Sequence, residues 1–124
     1  EAERAGIEAV VRDYLEGMIW NDPDRLRRAM HPLCMQSGHY KGQFEFCDRD
    51  AFIESLESEK TAEPGSPYEA EIVSIEMTGD VAVVKVTNEC LGTSFTDYLM
   101  LIKVENRWRI VMKAFFDHAD ENHG

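Results

Sequence analysis

The chain has 124 residues, 44% of them hydrophobic and 30% charged, with 13 Lys and Arg against 24 Asp and Glu for a net charge of −11. That length fits one globular domain, expected over residues 1–124, with core enough to fold without disulfide or metal staples. The acidic balance excludes a phosphate-tracking nucleic-acid binder and a binder of anionic membranes, and no apolar run approaches the roughly 20 residues that span a bilayer.

The first twenty residues carry the clearest period. Ile7, Val10, Val11, Tyr14, Leu15, Met18 and Ile19 repeat at helical spacing, with Glu8, Arg12, Asp13 and Glu16 on the opposite face. This predicts an amphipathic helix stopping at Asn21. Asp22-Pro23 then supplies an N-cap and a first-turn proline for a second helix, striped by Leu26, Ala29 and Met30 and ended by Pro32. Residues 33–47 read ambiguously, with turn signals at Gly38 and Lys41-Gly42 and strand-like alternation at Phe44 and Phe46. Asp48 caps a short helix bearing Phe52, Ile53 and Leu56, and the Pro64–Pro67 loop follows it.

Beyond that loop the period changes to two. Strands are expected at about 69–77, 81–90, 95–104 and 107–116, joined by Gly79-Asp80, Gly92-Thr93 and Glu105-Asn106 as antiparallel hairpins. Helices followed by a meander give an α+β fold. Alternation turns Ala82, Val84, Val86, Asn88 and Cys90 toward the helices, and likewise Trp108, Ile110, Met112, Ala114 and Phe116, leaving Arg109 and Lys113 outside. The strand Phe95–Val104 is apolar on both faces and needs cover on both. A homodimer is therefore expected through an outer patch of Tyr98, Met100, Ile102, Val111 and Phe115.

Cys34, Cys47 and Cys90 form no Cys-x-x-Cys spacing, which favours buried thiols in a reducing, cytoplasmic setting. His31, His39, His118 and His123 have no ligand spacing, so no metal is expected. Nor is a cofactor, since the phosphate-binding glycine loops and the nucleophile elbow are absent. The acidic stretch Asp117–Glu121 reads as a solvated end.

Ala9-Val10-Val11-x-x-Tyr14, Asn21-Asp22-Pro23-Asp24 and Met30-His31-Pro32 resemble the opening of the nuclear transport factor 2-like superfamily. Gly79-Asp80-Val81-Ala82-Val83-Val84, Phe95-Thr96-Asp97-Tyr98-Leu99 and Trp108-x-Ile110-Val111 resemble its sheet. The resemblance covers the whole chain and implies a cone: a curved antiparallel sheet wrapped around N-terminal helices. The Phe-Thr-Asp-Tyr-Leu string and the His-Pro pair are most similar to the branch named for lumazine binding, which implies a heterocyclic ligand. Similarity to ketosteroid isomerase implies oxyanion-hole positions at Tyr14 and Asp97. Its general-base position falls near Ser37-Gly38-His39, where no acid stands and His39 is the substitute.

Asp97 lies on an inward face between Phe95 and Leu99, where a carboxyl must be hydrogen-bonded, ion-paired or protonated. It either satisfies an Arg or backbone partner or serves a pocket. The first reading is a small-molecule-binding domain with a mostly apolar pocket lined by Tyr14, Met18, Trp20, His39, Asn88, Asp97, Met112 and Phe116. The second is an isomerase, dehydratase or cyclase using Asp97 with Tyr14 or His39. The third is a dimeric protein-interaction module. A pocket role for Asp97 leads to the expectation that Asp97→Leu removes binding and leaves the fold intact.

Overall fold

A computed structural model of the chain describes residues 2–59 and 61–119. Its elements are α1 (Ala2–Ile19), α2 (Pro23–Ala29), β1 (Met30–Tyr40), β2 (Gln43–Asp48), α3 (Arg49–Leu56), β3 (Ala70–Thr78), β4 (Val81–Cys90), β5 (Thr93–Val104) and β6 (Arg107–Asp117). The six strands form one sheet in the order β2-β1-β6-β5-β4-β3. All neighbours are antiparallel except β1 and β6, which run parallel. This is the open, cone-like α+β arrangement, with a mixed rather than wholly antiparallel sheet.

The helices start where the sequence places their caps. Asp22 accepts from the Arg25 amide at 3.3 Å and Asp48 from the Ala51 amide at 2.9 Å, each satisfying an orphan first-turn donor. The second helix is shorter than its stripe suggested. It ends at Ala29, and Met30, His31 and Pro32 already belong to β1. The Met30 amide still closes the helix on Leu26, so its apolar side chain serves the same core from an extended backbone. The ambiguous stretch becomes the hairpin β1–β2, turned at Lys41 and Gly42 with φ of 52° and 79°. Gly38 is required where β1 passes β6, because a Cβ there would lie 2.5 Å from the Phe115 carbonyl oxygen.

One core runs under the inner face of the sheet. α1 contributes Ile7, Val11, Tyr14, Leu15, Met18 and Ile19, meeting Val84, Val86, Leu99, Leu101 and Ile110. α1 packs on β4 and β6, while α3 packs on β1 and β2.

The faces of β6 are where alternation misleads. Opposite β5, Met100 pairs with Met112 but Leu101 pairs with Ile110, so Val111 is an extra residue in β6. Such a bulge shifts side-chain parity by one. Trp108 and Ile110 point inward as expected, but beyond the bulge Lys113, Phe115 and Asp117 do so instead of Met112, Ala114 and Phe116. Met112 and Phe116 are 47% and 46% exposed, and Lys113 only 5%. The outer patch is corrected accordingly: Phe115 leaves it, while Met112 and Phe116 join Tyr98, Met100, Phe44 and Phe46. Asp117 is not a solvated end either. It is buried and accepts from Thr93 Oγ1 and the Ala119 amide, each at 2.9 Å. Asp120 and Glu121 of that stretch, and His123, lie outside the described residues.

Candidate functional site

Three buried polar side chains meet under the middle of the sheet. Tyr14, carried by α1 on its core face, donates to Asp97 Oδ2 at 2.5 Å, and Asn88 Nδ2 of β4 donates to the same oxygen at 3.2 Å. The partners of Asp97 are thus a phenol and an amide, not an Arg or the backbone. Both donors use Oδ2, so neither engages Oδ1. Burial lifts the Asp97 carboxyl above the ordinary range, against the pull of the Lys113 charge and of its two donors. Tyr14 is pushed well up by burial and by the Asp97 charge, so it stays a phenol and a donor.

Lys113 completes the group. The register pairs Asp97 with Phe115 and Leu99 with Lys113, so Asp97 and Lys113 are diagonal neighbours on the inner face. The ammonium lies 4.1 Å from the Phe52 ring centroid, 5.1 Å from Tyr14 and 5.3 Å from Phe115, with Met18 Sδ at 3.9 Å. Ring faces and a thioether hold the cation, and no ion pair does among the described residues. Burial lowers its pKa, opposed chiefly by the Asp97 charge.

These groups open onto a cavity between α3 and the sheet. Its wall includes Met18, Gln36, Tyr40, Phe52, Leu56, Phe95, Asp97, Lys113 and Phe115. Ser55 on its wall is exposed, and Tyr40, Glu45, Glu59, Leu91 and Phe115 are partly so, which leaves the cavity open to solvent on that side. About 70 Å³ is open to the centre of a water molecule, room for roughly five waters at about 10–15 Å³ each. Gln36 is 1% exposed; its Nε2 reaches Glu45 Oε1 at 3.2 Å and Cys47 Sγ at 3.1 Å, while its Oε1 has no partner. The Tyr40 hydroxyl is likewise buried without one, and burial pushes its pKa up to about 12. The nearby thiols of Cys34 and Cys90 are pushed up to about 11 by burial, so neither is a thiolate nucleophile at neutral pH.

Of the residues singled out from sequence, Asp97 and Met18 line the cavity, and Tyr14 and Asn88 stand behind Asp97. The other four lie elsewhere. His39 is exposed, its ring tilted on Phe44, because alternation along β1 sends Gln36 and Tyr40 inward and His39 out. It does not partner Asp97. Trp20 donates to the Ser66 carbonyl at 3.0 Å, with its ring edge to Tyr68, and pins the loop after α3. Met112 and Phe116 are on the outer face, for the parity reason above. Lys113, Gln36, Tyr40 and Phe115 were missed. Phe44–Phe46 alternation, extended back through the Lys41-Gly42 turn, carried the signal for Gln36 and Tyr40; nothing in the sequence announced the bulge. Among the described residues no three His, Cys, Asp or Glu side chains gather as a metal ion requires.

Residues 2–116 match a family described as "Putative lumazine-binding". The chain belongs to that family. The chain is also similar to an NTF-2 like protein of unknown function from Silicibacter pomeroyi, 32% identical over 94% of this chain and 96% of that one, with a TM-score of 0.86. An NTF2-like protein from Shewanella baltica, at 24% identity and 94% coverage of both chains, shares the fold with a TM-score of 0.83. Among curated proteins the chain is similar to Aldolase FrzH of a Cladobotryum species, 26% identical over 119 residues, covering 94% of this chain and 93% of that one.

The geometry revises what Asp97→Leu does. Leucine orphans the Tyr14 and Asn88 donors together, so the variant is expected to lose about 1–3 kcal/mol or more rather than to fold unchanged. Asp97→Asn retains an acceptor oxygen for both and is expected to stay near wild type; urea melts of the two variants check this. The pH dependence has a definite sign. Lys113 deprotonates earlier folded than unfolded, so stability climbs as pH rises from its lowered value toward the ordinary value of about 10.4. Lys113→Met is expected to abolish that alkaline climb; an unchanged climb in the variant refutes the assignment.

Proposed function

We propose that the chain is a small-molecule-binding domain whose ligand sits in the cavity between α3 and the sheet and carries adjacent hydrogen-bond donor and carbonyl groups. The observation behind this is Gln36 Oε1, a buried acceptor with no partner on the cavity wall. Buried polar atoms are normally satisfied, and one left open beside a cavity calls for a donor from a ligand. Lys113 and the Tyr40 hydroxyl offer the complementary donors, and Phe52, Leu56, Phe95 and Phe115 offer an apolar seat. The family description supports a heterocycle with alternating N–H and C=O groups, and similarity to a chain named an aldolase supports a carbonyl compound. The available space suits a single small ring; a two-ring ligand requires α3 to move away from β2.

Titration of the ¹⁵N-labelled chain with succinimide and with lumazine separates these sizes. Saturable shifts at the amides of Gln36, Tyr40 and Phe115 are expected, weakened about tenfold in Gln36→Leu, the loss of one buried hydrogen bond. Shifts from neither probe, or shifts confined to the outer face, would sink this reading.

We also propose a second copy of the chain as partner. Phe44, Phe46, Tyr98, Met100, Met112 and Phe116 are each at least 42% exposed on the outer face, an apolar patch of the kind that interfaces cover. Light scattering is expected to give about twice the chain mass of 14.2 kDa, reduced to one chain by Tyr98→Lys with Met100→Lys; a wild-type monomer contradicts it.

A further inference from the structure

We propose that Lys113 is an imine-forming amine: its Nζ, set in the cavity wall among the Phe52, Tyr14 and Phe115 rings, adds to the carbonyl carbon of a small aldehyde or ketone. This rests on the reading that the cavity admits a small carbonyl compound.

The geometry supplies what the step needs. A lysine amine attacks through a lone pair, which an ion pair would occupy with a proton. Here the nitrogen meets aromatic faces and the Met18 sulfur, with no carboxylate oxygen in ion-pair contact, at the wall of a cavity with a solvent-exposed mouth. Asp97, Glu45, Cys34 and Cys90 are the titratable groups that act on it, and all four favour its charged form. Burial outweighs them, so the amine yields its proton more readily than an ordinary lysine. Among the described residues no other lysine combines these features: Lys103 is paired with Glu3 at 2.8 Å, Lys85 lies over the outward Tyr98 ring, and Lys41 is exposed.

The chemistry balances without a redox partner. The Lys113 lone pair forms the C–N bond, the carbonyl π pair moves to oxygen, and that oxygen takes a proton. The nitrogen gives up one proton, leaving a neutral carbinolamine. The nitrogen lone pair then closes the C=N bond as the hydroxyl takes up a proton and leaves as water, giving the protonated imine. The Asp97 carboxyl, diagonal to Lys113 on the same wall, is the group placed to relay the proton that the departing hydroxyl takes up. The phenol of Tyr14 holds that carboxyl in place through Oδ2.

Reductive trapping tests this on the intact chain. Acetone or propanal is added at neutral pH with sodium cyanoborohydride, which delivers hydride to the imine carbon and fixes the adduct as a secondary amine. Peptide mass mapping then reads each lysine and the α-amino group. Lys113 is expected to be alkylated faster than Lys41 or Lys85, since an amine that yields its proton more readily presents more of the free base that attacks. Lys113→Met is expected to lose that fast adduct and keep the slow ones. Alkylation spread over the surface amines with Lys113 unmodified overturns the inference. The map is read on the wild-type chain, so it decides the matter even if the variant fails to fold. Amide shifts at Gln36 and Phe115 on acetone addition, without a Lys113 adduct, overturn imine formation but leave the binding reading standing. Neither shifts nor adduct overturns both.

Discussion

One extra residue in β6 sets the chemistry of the interior. Were Val111 paired in a regular ladder instead of bulged, strict alternation would carry Lys113 to the outer face and fill the space under Asp97 with Met112 and Phe116. The bulge reverses parity for the strand beyond Val111, so Lys113, Phe115 and Asp117 enter the cone and Met112, Ala114 and Phe116 leave it. The same event polarises the inside and makes the outside apolar. A bulge of this kind costs a ladder position, and here it re-aims side chains at a cavity.

The interior that results is expensive. Removing an ammonium and a carboxyl from water without direct pairing disfavours both charged forms, which is why the Lys113 pKa moves down and that of Asp97 up. Asp97 recovers part of the loss through Tyr14 and Asn88, and Lys113 through three ring faces. An apolar core of the same volume would avoid the cost. The pair lies beside a cavity that also leaves Gln36 Oε1 open, and this combination supports the proposed binding site.

Much of the fold was legible because its signals are local. Asp22-Pro23 and Asp48 announce helix starts, the run from Ile7 to Ile19 shows its period plainly, and β4 alternates cleanly from Ala82 to Cys90. Met30 was drawn into α2 because an apolar residue at helical spacing serves the core equally well from a strand. Residues 33–47 hid two strands, since β1 runs parallel to a partner far along the chain, Met35 pairing with Met112, and short-range turn chemistry cannot report that pairing. Asp97 stood out as an acid on an apolar face, and Tyr14 as its partner came from resemblance. Lys113 could not be read at all: a charged residue two after Val111 obeys the outward pattern until the bulge is known, and a bulge without glycine leaves no mark in the sequence. His39 was read as facing in for the opposite reason, a resemblance carried one position past the inward Gly38.

The account stands on an amine held inside the cone beside Asp97, and ¹³C NMR of the lysine Cε resonances as a function of pH observes it directly. Lys113 is expected to titrate below the ordinary lysine value of about 10.4. In Asp97→Asn it is expected to titrate lower still, because the facing carboxylate that favours its charge is gone, while the other lysines do not move. A Lys113 resonance that titrates at or above the ordinary value, unmoved by Asp97→Asn, would contradict the account.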